Sequence, residues 1–349
     1  MIKFLDNIQK YLFFWITGTI VVGLAIVYFF GGYKFTPVIC LIAAIVMIYP
    51  SFVPLAFDKL PASMKNYPAI IASIVVNFIV FPALAYFIGG VFLEQEPVLR
   101  LGLMLLALLP GGGMVTTWAM KSRADMPTTI GIVIINLLIA IVVVPFGMSF
   151  FMNHFGLNEV ADVSETMCMI EQTTGGIASC DFGGDGISPM KIALPIFVIV
   201  IVPLIFAFFT QKIIIKRKGH KYFDKIKQNF GKFSNFGLLI VLMALMSLEN
   251  NSVIFEEPRI LMDIFIPLAI MYLFGLGVAI LLYRTFHNKS VGKAFVWGSY
   301  LRYITLALGI AISLVFQDEQ LAVITTVIVL SYFIQIPSSF MLAKYFENH

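Results

Sequence analysis

The sequence predicts an all-α integral membrane protein with ten transmembrane helices. Hydrophobic residues make up 60% of the 349 residues and charged residues only 12%. Apolar runs recur along nearly the whole chain, and each approaches the roughly 20 residues that a helix needs to cross a bilayer. Lysine and arginine are concentrated in alternate connecting segments, as in a chain that crosses the membrane repeatedly. We therefore expect a single transmembrane domain, 1–349, without a soluble domain.

The ten apolar runs define the expected spans. They lie at roughly 11–31, 37–56, 67–92, 98–120, 126–152, 188–210, 233–250, 261–284, 294–316 and 319–343. The first run is long and aromatic-rich and lacks a small-residue cleavage site, so we do not expect a cleaved signal peptide there.

The basic residues predict the orientation in the membrane. One set of termini and connecting segments holds 18 of the 23 lysines and arginines, and the other set holds only Lys34, Arg100, Lys191 and Arg259. The basic side is cytoplasmic by the positive-inside rule, so both termini are expected in the cytoplasm, with the chain in the plasma (inner) membrane. The run Lys212–Lys232 fits a loop that fixes this topology, and the alternative is a lipid-head-group patch.

One long outer segment, 153–187, connects spans five and six as an extracytoplasmic loop. It contains Cys168 and Cys180, and two cysteines outside the cytoplasm are able to form a disulfide. The alternative is a pair of free thiols, because connectivity does not follow from sequence.

Arg302 carries a charge inside the apolar run 294–316, and no Asp or Glu lies deep in any apolar run. A charge at this depth usually faces the bundle interior and has a partner. One hypothesis is that the counter-charge arrives as a ligand. The alternative is a structural arginine that binds carbonyls freed at a helix break or reaches for the cytoplasmic interface.

Ten spans divide into two inverted repeats of five, about 11–152 and 188–345. The run Pro110-Gly111-Gly112-Gly113 predicts a break in span four. Adding 192 to 110 gives 302, and adding 192 to 145 relates Pro145 to Pro337. Gly298 and Ser299 indicate a weaker break in span nine. Broken helices at corresponding positions of two repeats point to a binding site in transporters.

These patterns define the candidate site. The expected substrate-binding residues are Arg302, Gly111, Gly112, Gly113, Thr116, Thr117, Asn136, Ser299 and Thr305. Asn77, Gln335 and Ser338 are further polar residues near the breaks that suit a small polar ligand. The alternative for each polar residue is a hydrogen bond between helices. The expected helix breaks are Pro110, Gly298, Pro145 and Pro337. The four histidines lie in connecting segments or at the terminus without ligand spacing, so neither a metal site nor another cofactor is expected.

The run Leu109–Trp118 resembles the broken fourth helix of the bile acid:sodium symporter superfamily. Val76–Pro82, Ile135–Leu137 and Leu239–Leu248 look more like its arsenite permease branch, and Thr305–Ala311 resembles the span-nine segment of both branches. The resemblance implies ten spans, with spans four and nine crossing beside the substrate. It also implies a panel domain that moves against a core domain by alternating access.

Two departures from the family pattern bear on the substrate. Arsenite permeases carry a cysteine just before the span-four break, whereas 105–110 contains none. Thr305 stands in the place of the superfamily's span-nine glutamate, and Val115 and Thr116 match the Ser-Asn pair that helps to hold sodium in the symporters. The resemblance therefore implies that sodium binding in the usual positions is doubtful, and an anion is easier to place.

The leading hypothesis is a secondary active transporter of a small organic anion or oxyanion that works by alternating access. Arsenite or antimonite efflux is the first alternative. A non-transporting membrane receptor is an alternative of another class. The sequence has no catalytic constellation in its apolar runs, so we do not expect an enzyme. The expected partners are the anionic small-molecule substrate and the lipid bilayer, without nucleic acid, and the oligomeric state stays open.

The distribution of basic residues makes a testable topology prediction. Reporter fusions after Arg123 and Lys232 are expected to report the cytoplasm, and fusions near Glu171 and Glu257 the outside. A cytoplasmic signal near Glu171 would refute the proposed orientation.

Overall fold

The computed structural model describes residues 2–33, 37–55, 60–157, 189–248, 259–314 and 318–348. Their regular structure is helical. The helices are α1 (Ile2–Lys10), α2 (Leu12–Phe30), α3 (Pro37–Phe52), α4 (Leu60–Ser63), α5 (Tyr67–Val75), α6 (Phe81–Phe92), α7 (Pro97–Leu108), α8 (Gly113–Lys121), α9 (Met126–His154), α10 (Pro189–Lys218), α11 (His220–Met246), α12 (Arg259–Tyr283), α13 (Lys289–Tyr300), α14 (Ile304–Ser313) and α15 (Asp318–Asn348). Cys168 and Cys180 lie outside the described residues.

The helices confirm an all-α membrane protein. In the described residues, eight helices are long and apolar enough to cross a membrane, and the bent pair α7 and α8 brings the number to nine. The remaining expected span, 37–56, corresponds to α3, which has 16 described residues. At about 1.5 Å per residue this helix is shorter than a hydrocarbon core of about 30 Å. Ten spans and the inverted repeats therefore stay predictions.

The helices pack in two groups. Helices α1, α2, α3, α10 and α11 contact one another, and α4 to α9 pack with α12 to α15. The two groups meet chiefly where α10 packs on α9 and where α14 packs on α3. The chain thus has one cluster that contains both interrupted spans and a second cluster that lies against it.

Span four is interrupted where the sequence predicts. Helix α7 ends at Leu108 and α8 begins at Gly113, with an angle of 57° between them. Leu109 is extended, with φ −95° and ψ 115°, and Pro110 follows it. A proline followed by three glycines lacks both the hydrogen bonds and the packing that would keep this helix continuous.

Span nine is also interrupted, but not at the predicted residue. The break is at 301–303, between α13 and α14, and Gly298 lies inside α13. The absence of a side chain at Gly298 allows α13 to pack closely on α9, because a Cβ there would lie 2.4 Å from Cγ2 of Ile132.

The helix breaks predicted at Pro145 and Pro337 are not observed. Both prolines lie inside continuous helices, α9 and α15. A membrane helix continues through a proline when neighbouring groups and small local adjustments satisfy the freed carbonyl.

Two further local features differ from the sequence expectations. The residues Val76–Val80 in the middle of span three form a π-helical turn between α5 and α6, and Asn77 lies on it. Such turns are frequent at functional sites. The basic run expected as a loop is mostly helical, because α10 continues to Lys218 and α11 begins at His220. Gly219 makes the turn with φ +81°.

The two breaks pack closely against each other at glycine residues. A Cβ at Gly111 would lie 2.9 Å from the carbonyl oxygen of Leu301, and one at Gly112 would lie 2.4 Å from Cγ of Tyr303. A Cβ at Gly113 would meet nothing closer than a backbone oxygen at 3.5 Å, an ordinary contact. The first two glycines therefore permit the close approach of the broken segments.

This packing predicts different effects of alanine at neighbouring glycines. Gly112→Ala drives a methyl group into the base of the Tyr303 ring, so backbone must shift, at a cost of about 1–3 kcal/mol. A clear fall in the melting temperature of the purified protein is expected. Gly113→Ala is the matched control and is expected to melt close to the wild type. Equal melting of the two variants would contradict the close approach.

Candidate functional site

The two interrupted spans cross at Arg302, which is 2% exposed. Arg302 follows the C-terminal end of α13, and the C-terminal end of α7 lies against it. The N-terminal ends of α8 and α14 lie on the other side of the two breaks. Four half-helix ends thus flank the two breaks, and the C-terminal ends of α7 and α13 contact the Arg302 guanidinium.

The guanidinium of Arg302 is almost fully engaged by oxygen atoms. Nη1 donates hydrogen bonds to the carbonyl oxygens of Ala107 at 3.2 Å and Leu109 at 3.4 Å. Nη2 donates to Oδ1 of Asn77 at 2.5 Å and to the carbonyl oxygen of Ser299. An arginine side chain has five N–H donors, so four of them are used here.

These contacts supply the counter-charge that the sequence does not contain. Ala107 and Leu109 lie at the C-terminal end of α7, and Ser299 lies in the last turn of α13. A helix C-terminus carries a partial negative charge of about half an electron, so two such ends favour a cation between them. The Arg302 guanidinium also lies 3.8 Å from the centre of the Phe81 ring, a cation–π contact.

These contacts match the alternative in which Arg302 is a structural arginine that binds carbonyls freed at a helix break. All its contacts with the described residues are with neutral groups of the protein. Only Nε, which is buried, has no partner within the described part of the chain. In this conformation the bidentate fork is already occupied by carbonyl and amide oxygens. A direct role of Arg302 in substrate binding stays a prediction.

Asn77 connects Arg302 to span five. Its Nδ2 donates to the carbonyl oxygen of Gly298 at 3.1 Å and to Oδ1 of Asn136 at 3.3 Å. Asn136 in turn donates to Oγ of Ser73 at 2.8 Å. Because both donors of Asn77 are taken on one side, its oxygen is turned toward Arg302. The predicted site residue Asn136 is therefore part of the network that orients the arginine.

Gln335 holds the backbone of the span-nine break. Its Oε1 accepts from the backbone N–H of Arg302 at 2.8 Å, and its Nε2 donates to the carbonyl oxygen of Arg302 at 3.2 Å. The hydroxyl of Tyr272 donates to the same Oε1 at 2.9 Å. Unwound backbone inside a membrane needs such partners. Span ten thus supplies to span nine the hydrogen bonds that the interrupted helix lacks.

The predicted hydroxyl residues lie around the crossing in different surroundings. Thr116 donates to the carbonyl oxygen of Gly113 at 2.8 Å, and Thr305 lies 3.4 Å from the hydroxyl of Tyr332. The hydroxyl of Ser299 is buried without a partner among the described residues. Thr117 lines a cavity.

That cavity has a volume of about 410 Å³ and lies beside α8. Its walls come from α1, α2, α8, α11 and α15, and so from both helix groups. The lining residues are Gln9, Lys10, Tyr11, Leu12, Phe13, Phe14, Met114, Thr117, Trp118, Lys121, Asn235, Ile336 and Phe340. Two of the thirteen carry a positive charge and none carries a negative one.

Asn77 and Gln335, two of the polar residues that the sequence marks near the breaks, both bond to Arg302. Tyr272, Lys10 and Lys121 were not among the predicted residues, although Tyr272 is a polar group inside a long apolar run. Lys10 and Lys121 sit at the ends of apolar runs, so nothing in the sequence distinguishes them from topology-determining lysines. Among the described residues, no group of His, Cys, Asp or Glu side chains forms a metal site.

Comparison with known proteins supports one superfamily. The model of the sodium bile acid symporter family matches residues 41–174. The arsenical-resistance protein Acr3 of Corynebacterium glutamicum is 26% identical over 229 residues, which cover 65% of this chain and 56% of that protein. The Acr3 protein of Alkaliphilus metalliredigens is 22% identical over 359 residues, or 96% of this chain and 91% of that protein.

The matched segment thus spans about half of the Corynebacterium protein and nearly all of the Alkaliphilus protein. The family match points to the bile acid symporters, and the two relatives are arsenical-resistance proteins. Both branches that the sequence motifs resemble are thus represented. The resemblance to the bile acid:sodium symporter superfamily, including its arsenite permease branch, is therefore confirmed.

The buried amide network predicts a coupled effect of two mutations. Asn77→Ala removes the acceptor of Arg302 Nη2 and the donor to Oδ1 of Asn136. Asn136→Ala removes the acceptor of one Asn77 N–H. Each is expected to destabilise the protein by about 1–3 kcal/mol. The double variant is expected to lose less than the sum, because both mutations break the same connection.

Melting temperatures of the four proteins in a double-mutant cycle would measure this coupling. Thr326→Val is a suitable control, since within the described part of the chain the buried Thr326 hydroxyl bonds inside its own helix, to the carbonyl oxygen of Ala322 at 2.8 Å. Strict additivity of the asparagine mutations would show that the amides do not act as one network.

Proposed function

We propose that this relative of the sodium bile acid symporters and the arsenical-resistance proteins is a secondary transporter of a small organic anion or oxyanion. The crossing of two interrupted spans supports this proposal, because broken helices in the middle of a bundle are typical of transporter sites.

The cavity beside α8 is the observation that carries the choice of an anion. Lys10 and Lys121 both line it, and charges of one sign around a cleft raise the local concentration of the opposite ion. The ammonium of Lys121 lies 4.5 Å from the centre of the Trp118 ring and 5.4 Å from that of Phe340. These aromatic contacts hold the charge at the cavity without neutralising it.

The position of the cavity supports transport by alternating access. Its walls include Asn235 of α11 from one helix group and Thr117 of α8 from the other. A shift of one group against the other would widen or close the space between these walls. Lys10 and Lys121 belong to the side that the basic residues assign to the cytoplasm, so this cavity corresponds to an inward-facing access route.

Arsenical transport is the second candidate, and the names of the two curated relatives favour it. Trivalent arsenic prefers soft sulfur ligands, by the same softness argument that applies to metals. The segment 105–110 before the span-four break has no cysteine. An arsenic oxyacid would then be bound here through hydroxyl, amide and backbone groups.

Uptake into proteoliposomes tests the proposal and separates the two candidates. The probes are sulfate, phosphate, pyruvate, taurocholate, arsenite and antimonite, each with and without a thiol that sequesters trivalent arsenic. We expect saturable uptake of at least one of the anions, unaffected by the thiol. Transport confined to arsenite and antimonite would favour the second candidate, and no transport of any probe would count against both.

The lysines give the proposal a local test. In Lys121→Gln the KM for the transported anion is expected to rise about tenfold, which corresponds to about 1.4 kcal/mol. Lys218→Gln is the control, since Lys218 is exposed, lies 4.7 Å over the Tyr222 ring and does not line the cavity. Equal effects of the two variants would remove the cavity from the proposal.

A further inference from the structure

Four neutral oxygens converge on the Arg302 guanidinium. Three are carbonyl oxygens, of Ala107, Leu109 and Ser299, and the fourth is the amide oxygen of Asn77. The set combines the C-terminal ends of two half-helices with one side chain. Backbone oxygens of this kind, at interrupted helices inside a membrane, coordinate diffusible cations in other transporters.

We infer that Arg302 is a resident cation, covalently attached to the chain, which permanently fills a carbonyl-lined cation site at the crossing of the two interrupted spans. One consequence of this inference rests on the proposed transport function: transport needs no inorganic cation at this position. Arg302 is a positioning residue, because it acts by holding the half-helix ends of spans four and nine together.

The surroundings fit a planar guanidinium better than a spherical ion. The Phe81 ring lies 3.8 Å from the guanidinium carbon and covers one face. That ring is fixed in turn, because a Cβ at Gly275 would lie 2.2 Å from its Cζ. A flat cation above an aromatic ring keeps its N–H groups free to point outward at oxygens. The four acceptors occupy those directions.

The electrostatic argument explains why this site needs an occupant. Each half-helix C-terminus presents unpaired carbonyl groups and a partial negative charge. At this depth, near the middle of the candidate span Lys289–Ile312, water is not at hand to satisfy them. Removing the guanidinium would leave the same oxygens ready to accept a small cation from solution.

Chemical rescue tests the inference. The full-length Arg302→Ala protein is purified in detergent, and its melting temperature is measured with methylguanidinium, sodium, potassium or choline chloride at equal ionic strength. We expect a lower melting temperature than in the wild type, a saturable recovery with millimolar methylguanidinium, and none with choline. The wild type is expected to show no saturable response to any of these cations.

Arg100→Ala is the matched control. Arg100 also stacks on an aromatic ring, 4.2 Å from the centre of Phe155, and it does not contact the carbonyls of the crossing. Methylguanidinium is expected to leave its melting temperature unchanged. Recovery of both variants to the same extent would overturn the inference, and so would a folded Arg302→Ala protein that no cation stabilises.

Two further variants keep the test decisive if Arg302→Ala is not recovered from the membrane. Arg302→Lys keeps the charge and loses the fork, whereas Arg302→Met keeps much of the length and loses the charge. More folded protein is expected from the lysine variant than from the methionine variant. Equal yields would overturn the inference.

Transport provides an independent measurement. Wild-type uptake is expected to persist when potassium or choline replaces sodium, and strict, saturable sodium dependence would overturn the resident-cation inference. The melting experiments do not depend on uptake. Rescue by methylguanidinium without transport of any probe would therefore refute the proposed function and leave the cation site standing.

Discussion

The structure depends on a charge that is balanced by backbone dipoles. Arg302 lies where the C-terminal ends of α7 and α13 converge, and its guanidinium donates to carbonyl oxygens from both. A buried cation and two partially negative helix ends are each unfavourable alone in an apolar bundle. Together they satisfy one another. The crossing of spans four and nine is therefore a single electrostatic unit.

Neutral amides complete this unit. Asn77 turns its oxygen toward the guanidinium because Asn136 and Gly298 accept from its nitrogen, and Gln335 pairs with both backbone groups of Arg302. Hydrogen bonds from spans three, five and ten thus fix the two interrupted spans. In the proposed transport cycle, the movement would take place between this cluster and the second helix group, where the cavity lies.

In the folded structure, two glycines of the span-four break pack against the span-nine break. Their sequence pattern suggests backbone that approaches a ligand, yet Gly111 and Gly112 lie against Leu301 and Tyr303 of the opposite break. Interrupted helices that cross need small residues at the crossing, as other closely packed membrane helices do. The same glycines are therefore needed for the fold whether or not a substrate also meets them.

The sequence by itself determined the membrane class, most helix bounds and the break at Pro110, because hydrophobic run length and the loss of helix hydrogen bonds are local properties. It also isolated Arg302 as a buried charge. Only the tertiary structure decided what balances that charge, since carbonyls from residues almost 200 positions away meet the arginine only after folding. The span-nine break at 301–303 likewise depends on Gln335, which stabilises unwound backbone from another helix.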